Sequence, residues 1–354
     1  MSFGLPLTVQ CLCARSSTSE AMPYVSLTAV TGAPASFSYS ISTPSNPSAD
    51  AIDPALPTIL CIHGVYIAQQ IFESQFNDPR LRQFNLVAID RLAHGETKGN
   101  VTADYHPQET AEDLAHVMDA LNITSFHILA LGVGTIIGAE LAIAYPQRVK
   151  SLTSVSPAPF AEPEDVNQGR QQLLDYWHEM KKTSDNSYME DIVFGAMQLL
   201  FHNNVNNRAT AVRDVVLQQA FRNWMGTEED VFNARVTNAD FFTKRRVLTK
   251  HELSAIKAPI QFIHGQDDIA YPYQYTVDVA EEHRAAGNDV AGVYRVRGPH
   301  DMLLLSQKIN PRLCDMVLRV EKRKDMSISH PEPLRTPWTD ELAARGFYRP
   351  YRRF

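Results

Sequence analysis

Cysteine is scarce in this sequence, and its scarcity limits both the redox compartment and the metal chemistry. The 354 residues contain four cysteines, at positions Cys11, Cys13, Cys61 and Cys314. Their spacing matches no set of zinc ligands, and Cys61 lies in a continuous apolar segment where a small core residue is the ordinary need. We therefore expect reduced thiols and a cytoplasmic location, and we predict neither a metal site nor a cofactor.

Long apolar runs and excess positive charge are missing as well. No apolar run approaches the ~20 residues of a transmembrane helix, and the first residues lack the basic start of a secretory signal. The net charge is −7 and the pI is near 5.9, so electrostatics gives no reason to expect a nucleic-acid partner. We expect a soluble globular protein with a small-molecule substrate or ligand and with no nucleic-acid or membrane partner.

The most informative stretch is the segment 126–145, which reads FHILALGVGTIIGAELAIAY. It begins with an apolar run that predicts a buried strand, passes through Gly132-Val133-Gly134, and continues into a helical pattern that ends before Pro146. The segment therefore predicts a strand, a tight turn and a helix. Gly132 stands at the centre of the turn, and the small residues Ala130 and Gly134 flank it two positions away on either side.

Apolar segments that predict strands alternate with segments that predict helices along most of the chain. The predicted strands are 25–30, 36–41, 58–62, 84–90, 126–131, 149–155, 259–264 and 292–296. The predicted helices among them are 67–83, 107–121, 273–286 and 302–322. Strands that are apolar throughout and alternate with helices indicate an α/β fold with a mostly parallel, twisted sheet that helices cover on both faces. A ligand site is expected at the carboxyl ends of such strands.

The alternation stops between residues 157 and 249, where four helices are predicted instead, at 170–181, 188–201, 210–223 and 228–242. Such a long insertion between two strands is typical of a helical cap domain over the ligand site. We therefore divide the chain into an N-terminal extension (1–24), an α/β core (25–156 and 250–322), a helical cap (157–249) and an extended, proline-containing tail (323–354).

Three polar motifs follow predicted strands. His63-Gly64-Val65 comes directly after the strand at 58–62. Gly265-Gln266-Asp267-Asp268, with Pro272 four positions further on, follows the strand at 259–264. Arg297-Gly298-Pro299-His300 follows the last strand. Because the carboxyl ends of parallel strands meet at one edge of a sheet, we expect these three motifs to lie near the corner at Gly132.

Together with that corner, the motifs resemble the α/β-hydrolase superfamily, in its cap-bearing branch of esterases, epoxide hydrolases and carbon–carbon bond hydrolases. The resemblance covers about residues 36–322 and implies an α/β-hydrolase fold with an inserted helical cap. The nucleophile elbow of that family reads G-x-S-x-G, and this chain has Gly132 where the nucleophile stands. The resemblance also implies that His300 is the general base and that Asp268 is the carboxylate that orients it.

The same resemblance assigns the binding groups. Backbone N–H groups of Val65 and Val133 are expected to form an oxyanion hole, which stabilises negative charge that develops on a carbonyl oxygen. Gly64, Tyr66 and Trp177 are expected to contact the substrate.

Glycine has no side chain that could attack a carbonyl group, so the acyl-enzyme route is closed to Gly132. Three hypotheses remain. In the first, His300 and Asp268 act as a base pair on a small, mostly apolar carbonyl substrate, either in ester or lactone hydrolysis by direct water attack or in lyase-type proton abstraction. In the second, the protein is an inactive binding or scaffold protein, as the gibberellin receptor and the N-myc downstream-regulated proteins are within this superfamily. In the third, Gly132 is the natural or engineered loss of an esterase nucleophile. The base pair and both oxyanion donors favour an enzyme.

Overall fold

The computed structural model describes residues 22–185, 187–202, 206–304, 307–324 and 334–347. Cys11 and Cys13 lie outside the described residues, as do most of the predicted N-terminal extension and two parts of the predicted tail.

One sheet of eight strands organises the described chain. The strands are β1 (Tyr24–Thr28), β2 (Pro34–Ser42), β3 (Thr58–Ile62), β4 (Asn85–Ile89), β5 (Phe126–Leu131), β6 (Val149–Val155), β7 (Ile260–Gly265) and β8 (Val290–Val296). Their order across the sheet is β1-β2-β4-β3-β5-β6-β7-β8. β1 and β2 pair antiparallel, as do β2 and β4, and every pair from β4 onward is parallel. The predicted mostly parallel sheet is confirmed.

The central strands have the sequence that a doubly covered sheet requires. Every residue of β3, β4 and β5 is buried. Strands that are covered on both faces are apolar throughout rather than alternating, because neither face meets water. The polar side chains of the site therefore lie on the loops that follow the strands.

The described chain also contains twelve α-helices. They are α1 (Glu73–Phe76), α2 (Pro107–Ala120), α3 (Gly134–Ala144), α4 (Glu164–Thr183), α5 (Tyr188–Phe201), α6 (Asn207–Trp224), α7 (Glu228–Arg235), α8 (Phe241–Thr243), α9 (Lys250–Leu253), α10 (Tyr273–Ala285), α11 (Ile309–Glu321) and α12 (Thr339–Ala343). A 3₁₀ turn, Gln69–Phe72, precedes α1, and a π-helical segment, Val236–Asp240, joins α7 to α8.

Helices α4 to α8 form the insertion between β6 and β7, and they reach over the carboxyl edge of the sheet. Leu200 of α5 and Phe242 of α8 line the same cavity as Gly132 and His300. The insertion therefore closes the site from above. Its division from the core as a separate domain, at residues 157 and 249, stays a prediction.

Two predicted helices are shorter in the structure because of proline. The helix predicted at 67–83 is reduced to the 3₁₀ turn and α1, since Pro79 disfavours helical geometry at the residue before it. The helix predicted at 302–322 begins only at Ile309. Pro311 lies in its first turn, and the ring of a proline would clash with the carbonyl of residue 307 if the helix began earlier.

The prediction of an extended tail is wrong at Thr339–Ala343, where the chain forms α12. Trp338 is fully buried, and its ring centroid lies 4.7 Å from that of Phe76. The Thr336 hydroxyl donates to the Glu73 carboxylate at 2.5 Å, and Gln70 donates to Glu341 at 3.1 Å. A single large aromatic side chain and two polar contacts therefore fix a segment whose composition predicts an extended tail.

In the part of the chain that the structure describes, no helix is long and apolar enough to span a membrane.

Candidate active site

The turn between β5 and α3 has the geometry of a strained corner. Gly132 has a φ of +56°, a region that L-residues with side chains seldom adopt. Its N–H donates to the Val155 carbonyl at 3.0 Å, which ties the corner to the neighbouring strand. A Cβ added to Gly134 would lie 2.6 Å from the Ile62 carbonyl oxygen, so a side chain there would collide with backbone. The corner therefore requires glycine at position 134, where the helix begins.

The space beside Gly132 faces His300. A Cβ added to Gly132 would lie 3.2 Å from His300 Nε2 and 3.9 Å from Gly64 Cα, with no other described atom beyond the chain neighbours within 4 Å. A side chain at position 132 would thus point directly at the imidazole. Thr135, the nearest hydroxyl on α3, is turned away, because its Oγ1 donates to the Gly132 carbonyl at 2.7 Å.

His300 is held from its other side by Asp268. The distance from His300 Nδ1 to Asp268 Oδ2 is 2.8 Å. Asp268 Oδ1 also accepts the backbone N–H groups of Ala270 and Tyr271, at 2.9 and 3.0 Å. Ser156, which follows β6, donates its hydroxyl to the His300 carbonyl at 2.5 Å. These contacts fix the imidazole with Nε2 facing the corner.

His300 and Asp268 also shift each other's pKa. Burial by itself lowers the pKa of His300, but the Asp268 carboxylate and, more weakly, Asp301 raise it above its ordinary value. Burial by itself raises the pKa of Asp268, but His300 and the Tyr271 amide bring it below its ordinary value. Asp268 therefore favours the protonated imidazole, which is the form that a general base takes when it accepts a proton.

Val65 and Val133, the predicted oxyanion donors, lie on the loops after β3 and β5. Both residues line the cavity beside Gly132, and neither N–H donates to another residue in the described chain. Arg91 supports the first loop, because its Nη2 donates to the Gly64 carbonyl at 2.8 Å. Tyr66, which follows Val65, has a φ of +59°, a strained conformation for a residue with a side chain. The backbone N–H groups of Val65 and Val133 are therefore free to bind a ligand.

Two cavities lie beside the corner at Gly132 and the cap helices. The first, here called the corner cavity, has a volume of about 10 Å³ and is lined by Gly64, Gly132, His300 and their neighbours, which is space for about one water molecule. The second, here called the cap cavity, has a volume of about 60 Å³ and lies among α4, α5 and α6. The predicted substrate-binding residues are divided between them. Gly64 lines the corner cavity, and Tyr66 and Trp177 line the cap cavity.

Asp301, whose carboxyl group lines the corner cavity, was not predicted from the sequence. Its side chain is fully buried, and both of its oxygens lack a hydrogen-bond partner among the described residues. Burial raises the pKa of Asp301 to about 7, and His300 opposes the rise. The only sequence signal is that Asp301 directly follows His300.

A buried charged cluster in the cap was not identified either. Arg170 of α4 contacts the Glu162 carboxylate through Nε at 2.9 Å, and its Nη2 donates to the Tyr271 hydroxyl at 2.9 Å. The Tyr271 hydroxyl donates to the same carboxylate at 2.8 Å. Arg245 contacts the other carboxylate oxygen at 3.3 Å. Arg170 also lines the corner cavity, so the cap places a cation beside the base pair.

Among the residues that the structure describes, no group of three or more His, Cys, Asp or Glu side chains is arranged to bind a metal ion. The chemistry available at the site is that of the His300–Asp268 pair, the two backbone donors and the buried groups around them.

Comparisons with known proteins agree with the observed fold. A curated relative, "Putative carbamate hydrolase RutD" from Serratia proteamaculans (strain 568), is 25% identical over 230 residues, which are 64% of this chain and 79% of that protein. Among solved structures, a thermophilic esterase from Thermogutta terrifontis matches with a TM-score of 0.63 at 13% identity, over 84% of this chain and 99% of the other. The enol-lactonase from Burkholderia xenovorans LB400 matches with a TM-score of 0.59 at 15% identity, over 85% of this chain and 100% of the other.

At such identities the solved structures establish the fold alone. The family model described as alpha/beta hydrolase fold matches residues 57–285, a range that runs from the start of β3 to the end of α10 and includes the corner at Gly132 and Asp268. The match extends over more than half of the sequence, and we conclude that this chain belongs to the α/β hydrolase fold family.

Proposed function

We propose that the protein is a hydrolase that acts on a small, mostly apolar carbonyl compound, an ester or a lactone, without a covalent intermediate. The observation that carries this proposal is the position of His300. Its Nε2 lies 3.2 Å from the point where a side chain of residue 132 would begin, and its Nδ1 lies 2.8 Å from Asp268. A supported base therefore faces a space into which no nucleophilic side chain of the described residues extends.

In the proposed reaction, a water molecule occupies the corner cavity beside Gly132. His300 Nε2 accepts one proton of this water while the water oxygen forms a bond to the substrate carbonyl carbon, and Asp268 stabilises the resulting imidazolium. The negative charge that forms on the carbonyl oxygen is stabilised by the N–H groups of Val65 and Val133. The intermediate then collapses, the bond to the leaving oxygen breaks, and that oxygen takes the proton from His300.

Two further observations support this reaction class. The relatives named above carry names that include a carbamate hydrolase, an esterase and an enol-lactonase, all of which cleave bonds at a carbonyl carbon. The corner cavity is large enough for about one water molecule. The apolar cap cavity next to it suits the apolar part of such a substrate.

Gly132 itself favours a second candidate function, which is ligand binding without turnover. A protein that only binds its ligand has no need of a nucleophile, and the cap cavity would hold an apolar ligand equally well. Under this alternative, replacement of His300 would change no reaction rate.

The test compares wild type, Gly132→Ser, Gly132→Ala and His300→Ala on p-nitrophenyl butyrate and on short-chain lactones. We expect the wild type to hydrolyse at least one of them slowly and without a burst of product, because no acyl-enzyme forms. We expect Gly132→Ser to show a burst of p-nitrophenol and to carry one butyryl group in mass spectrometry, since the new hydroxyl would face the base.

Gly132→Ala is the matched control, because it adds a Cβ at the same strained position without a nucleophile. Wild-type turnover that survives His300→Ala unchanged would contradict the proposed mechanism. A wild type without turnover, together with a Gly132→Ser variant that is acylated, would favour the binding protein.

A further inference from the structure

One nitrogen of the Arg170 guanidinium group lacks a hydrogen-bond partner among the described residues. Its Nε and Nη2 are bonded to Glu162 and Tyr271, whereas Nη1 is buried and has no acceptor. Only 3% of the Arg170 side chain is exposed. A buried N–H group without a partner is unfavourable, and for a charged donor the penalty is larger than for a neutral one. A hydrogen-bond acceptor on a ligand would remove this penalty.

We propose that the ligand of this site carries a carboxylate group and that Arg170 binds this carboxylate at the corner cavity, while the apolar part of the ligand lies in the cap cavity. The inference rests on the proposed function for the location of the ligand. Because the corner cavity has room for about one water molecule, an oxygen of this carboxylate takes the place of the water of the proposed reaction, and the ligand is the carboxylic acid that hydrolysis releases.

The charge balance of the cluster favours an anion. One carboxylate, that of Glu162, contacts two guanidinium groups, those of Arg170 and Arg245. The side chains of all three are buried, with exposed fractions of 2–3%. Because arginine stays protonated in proteins, the cluster carries one uncompensated positive charge. A buried charge without a counterion is strongly unfavourable, and a ligand carboxylate would supply the counterion.

The orientation of the guanidinium group is fixed in advance. Its Cζ lies 3.7 Å from the centroid of the Phe242 ring, so the group stacks on an aromatic face while Glu162 and Tyr271 hold two of its nitrogens. Tyr66, which lines the cap cavity, lies on another side, with its ring centroid 5.9 Å from Cζ. A donor that is held in place loses little entropy when a ligand binds, which favours affinity.

The cap cavity suits an apolar body for the same ligand. It borders the corner cavity, since Ile67 and Leu200 line both. Almost all of its lining side chains are apolar. The charged exception, Arg213, already contacts the Asp214 carboxylate at 2.8 Å. A short alkyl or aryl chain therefore fits the cap cavity when its carboxylate lies at Arg170.

Beside Arg170, the titratable residues that line the corner cavity are Tyr271, His300 and Asp301. His300 is paired with Asp268, which lies behind it. The pKa of His300 is raised, and that of Asp301 is raised to about 7. Below pH 7 the Asp301 carboxyl group is mostly neutral, so the cavity accepts an anion. Above pH 7 it becomes negative, and repulsion between the two carboxylates should weaken binding by about tenfold or more.

The experiment is isothermal titration calorimetry of the full chain at pH 6 with hexanoate and with hexanamide, which has a similar shape but no charge. We expect wild type to bind hexanoate at least about tenfold more tightly than hexanamide, since hydrogen bonds to a charged group contribute more than neutral ones. We expect Arg170→Gln to abolish this preference. Arg245→Gln is the matched control, because it removes the same charge from the cluster but not the guanidinium that lines the cavity, and we expect it to weaken hexanoate binding less than Arg170→Gln does.

Equal affinity of wild type for the two ligands would overturn the proposal, and this comparison does not depend on how well any variant folds. Equal loss of hexanoate binding in Arg170→Gln and Arg245→Gln would also overturn it, because the cluster would then act only through the fold. The titration measures binding without turnover. Hexanoate preference in a protein that has no His300-dependent activity would therefore refute the proposed reaction and leave the carboxylate site standing.

Discussion

The two sides of the corner cavity are built in different ways. On the sheet side, Gly64, Gly132 and His300 lie on loops directly after parallel strands, and backbone geometry determines where their functional atoms point. On the cap side, Arg170 and Phe242 are side chains of helices that are held by a buried charged cluster. The sheet side carries groups that can move protons, and the cap side carries groups that can select a ligand.

This difference indicates where each kind of change should act. A substitution on the sheet side that leaves the strands intact should alter reaction rate more than stability. A substitution in the cap cluster should alter stability and ligand preference, because the cluster is both a packing element and a source of charge.

The largest effect is expected from His300→Ala. Loss of a positioned general base lowers rates by about 10²- to 10⁴-fold, and we expect this loss in kcat for any substrate that the wild type hydrolyses. Steady-state kinetics with a urea unfolding series would measure both properties. A large loss of unfolding free energy in His300→Ala, beside the loss of activity, would contradict the distinction between the sheet side and the cap side.

The largest effect on stability is expected from Glu162→Gln. The substitution leaves two buried guanidinium groups without a carboxylate, and breaking a buried ion pair destabilises by about 3–5 kcal/mol. The control is Glu228→Gln, because Glu228 pairs with Lys181 at an exposed position, where such pairs contribute about 1 kcal/mol or less. Equal unfolding free energies for the two variants, measured in urea, would contradict a structural role for the cluster.

A smaller effect on stability is expected when either glycine of the corner is replaced by alanine, and the two replacements should differ. Gly134→Ala places a Cβ 2.6 Å from the Ile62 carbonyl oxygen, and we expect a loss of about 3 kcal/mol because backbone must move. Gly132→Ala meets no backbone clash but forces alanine into a left-handed conformation, which costs about 1–2 kcal/mol. Thermal unfolding of both variants tests this order, and the reverse order would mean that position 132 lacks open space.

The smallest effect is expected in the pH dependence of folding stability. The raised pKa of His300 contributes stability below its ordinary value of 6.5, and that contribution is lost as pH rises through the folded pKa. The lowered pKa of Asp268 contributes stability above its ordinary value of 3.8, and that contribution is lost as pH falls through the folded pKa. The pair therefore stabilises the fold most between about pH 4 and 6.5.

Activity follows the neutral imidazole and should rise with pH through the pKa of His300. Because the Asp301 carboxylate raises this pKa, Asp301→Asn should lower the midpoint by a few tenths of a pH unit, roughly the size expected for one weak charge contact. Proton NMR of the His300 ring would report the midpoint directly. An unchanged or higher midpoint would show that the Asp301 carboxylate does not act on His300.

Much of the sheet side could be predicted from the sequence. The strands are continuous apolar runs, the strand, turn and helix of the corner occupy twenty consecutive residues, and the parallel arrangement brings the ends of distant strands to one edge. The family and the fold followed from these local patterns. The roles of His300, Asp268, Val65 and Val133 stay proposals, although the structure places all four around Gly132.

The cap cluster, Asp301 and the buried Trp338 could not be predicted in this way, because each depends on contacts between residues far apart in sequence. Arg170 and Tyr271 are separated by 101 positions, and neither belongs to a motif that indicates the other. The sequence by itself determined where the strands lie along the chain and the missing side chain at position 132, since both are properties of short consecutive segments. Only the tertiary structure decided which buried charges lack partners, because that depends on how the helices of the insertion pack over the sheet.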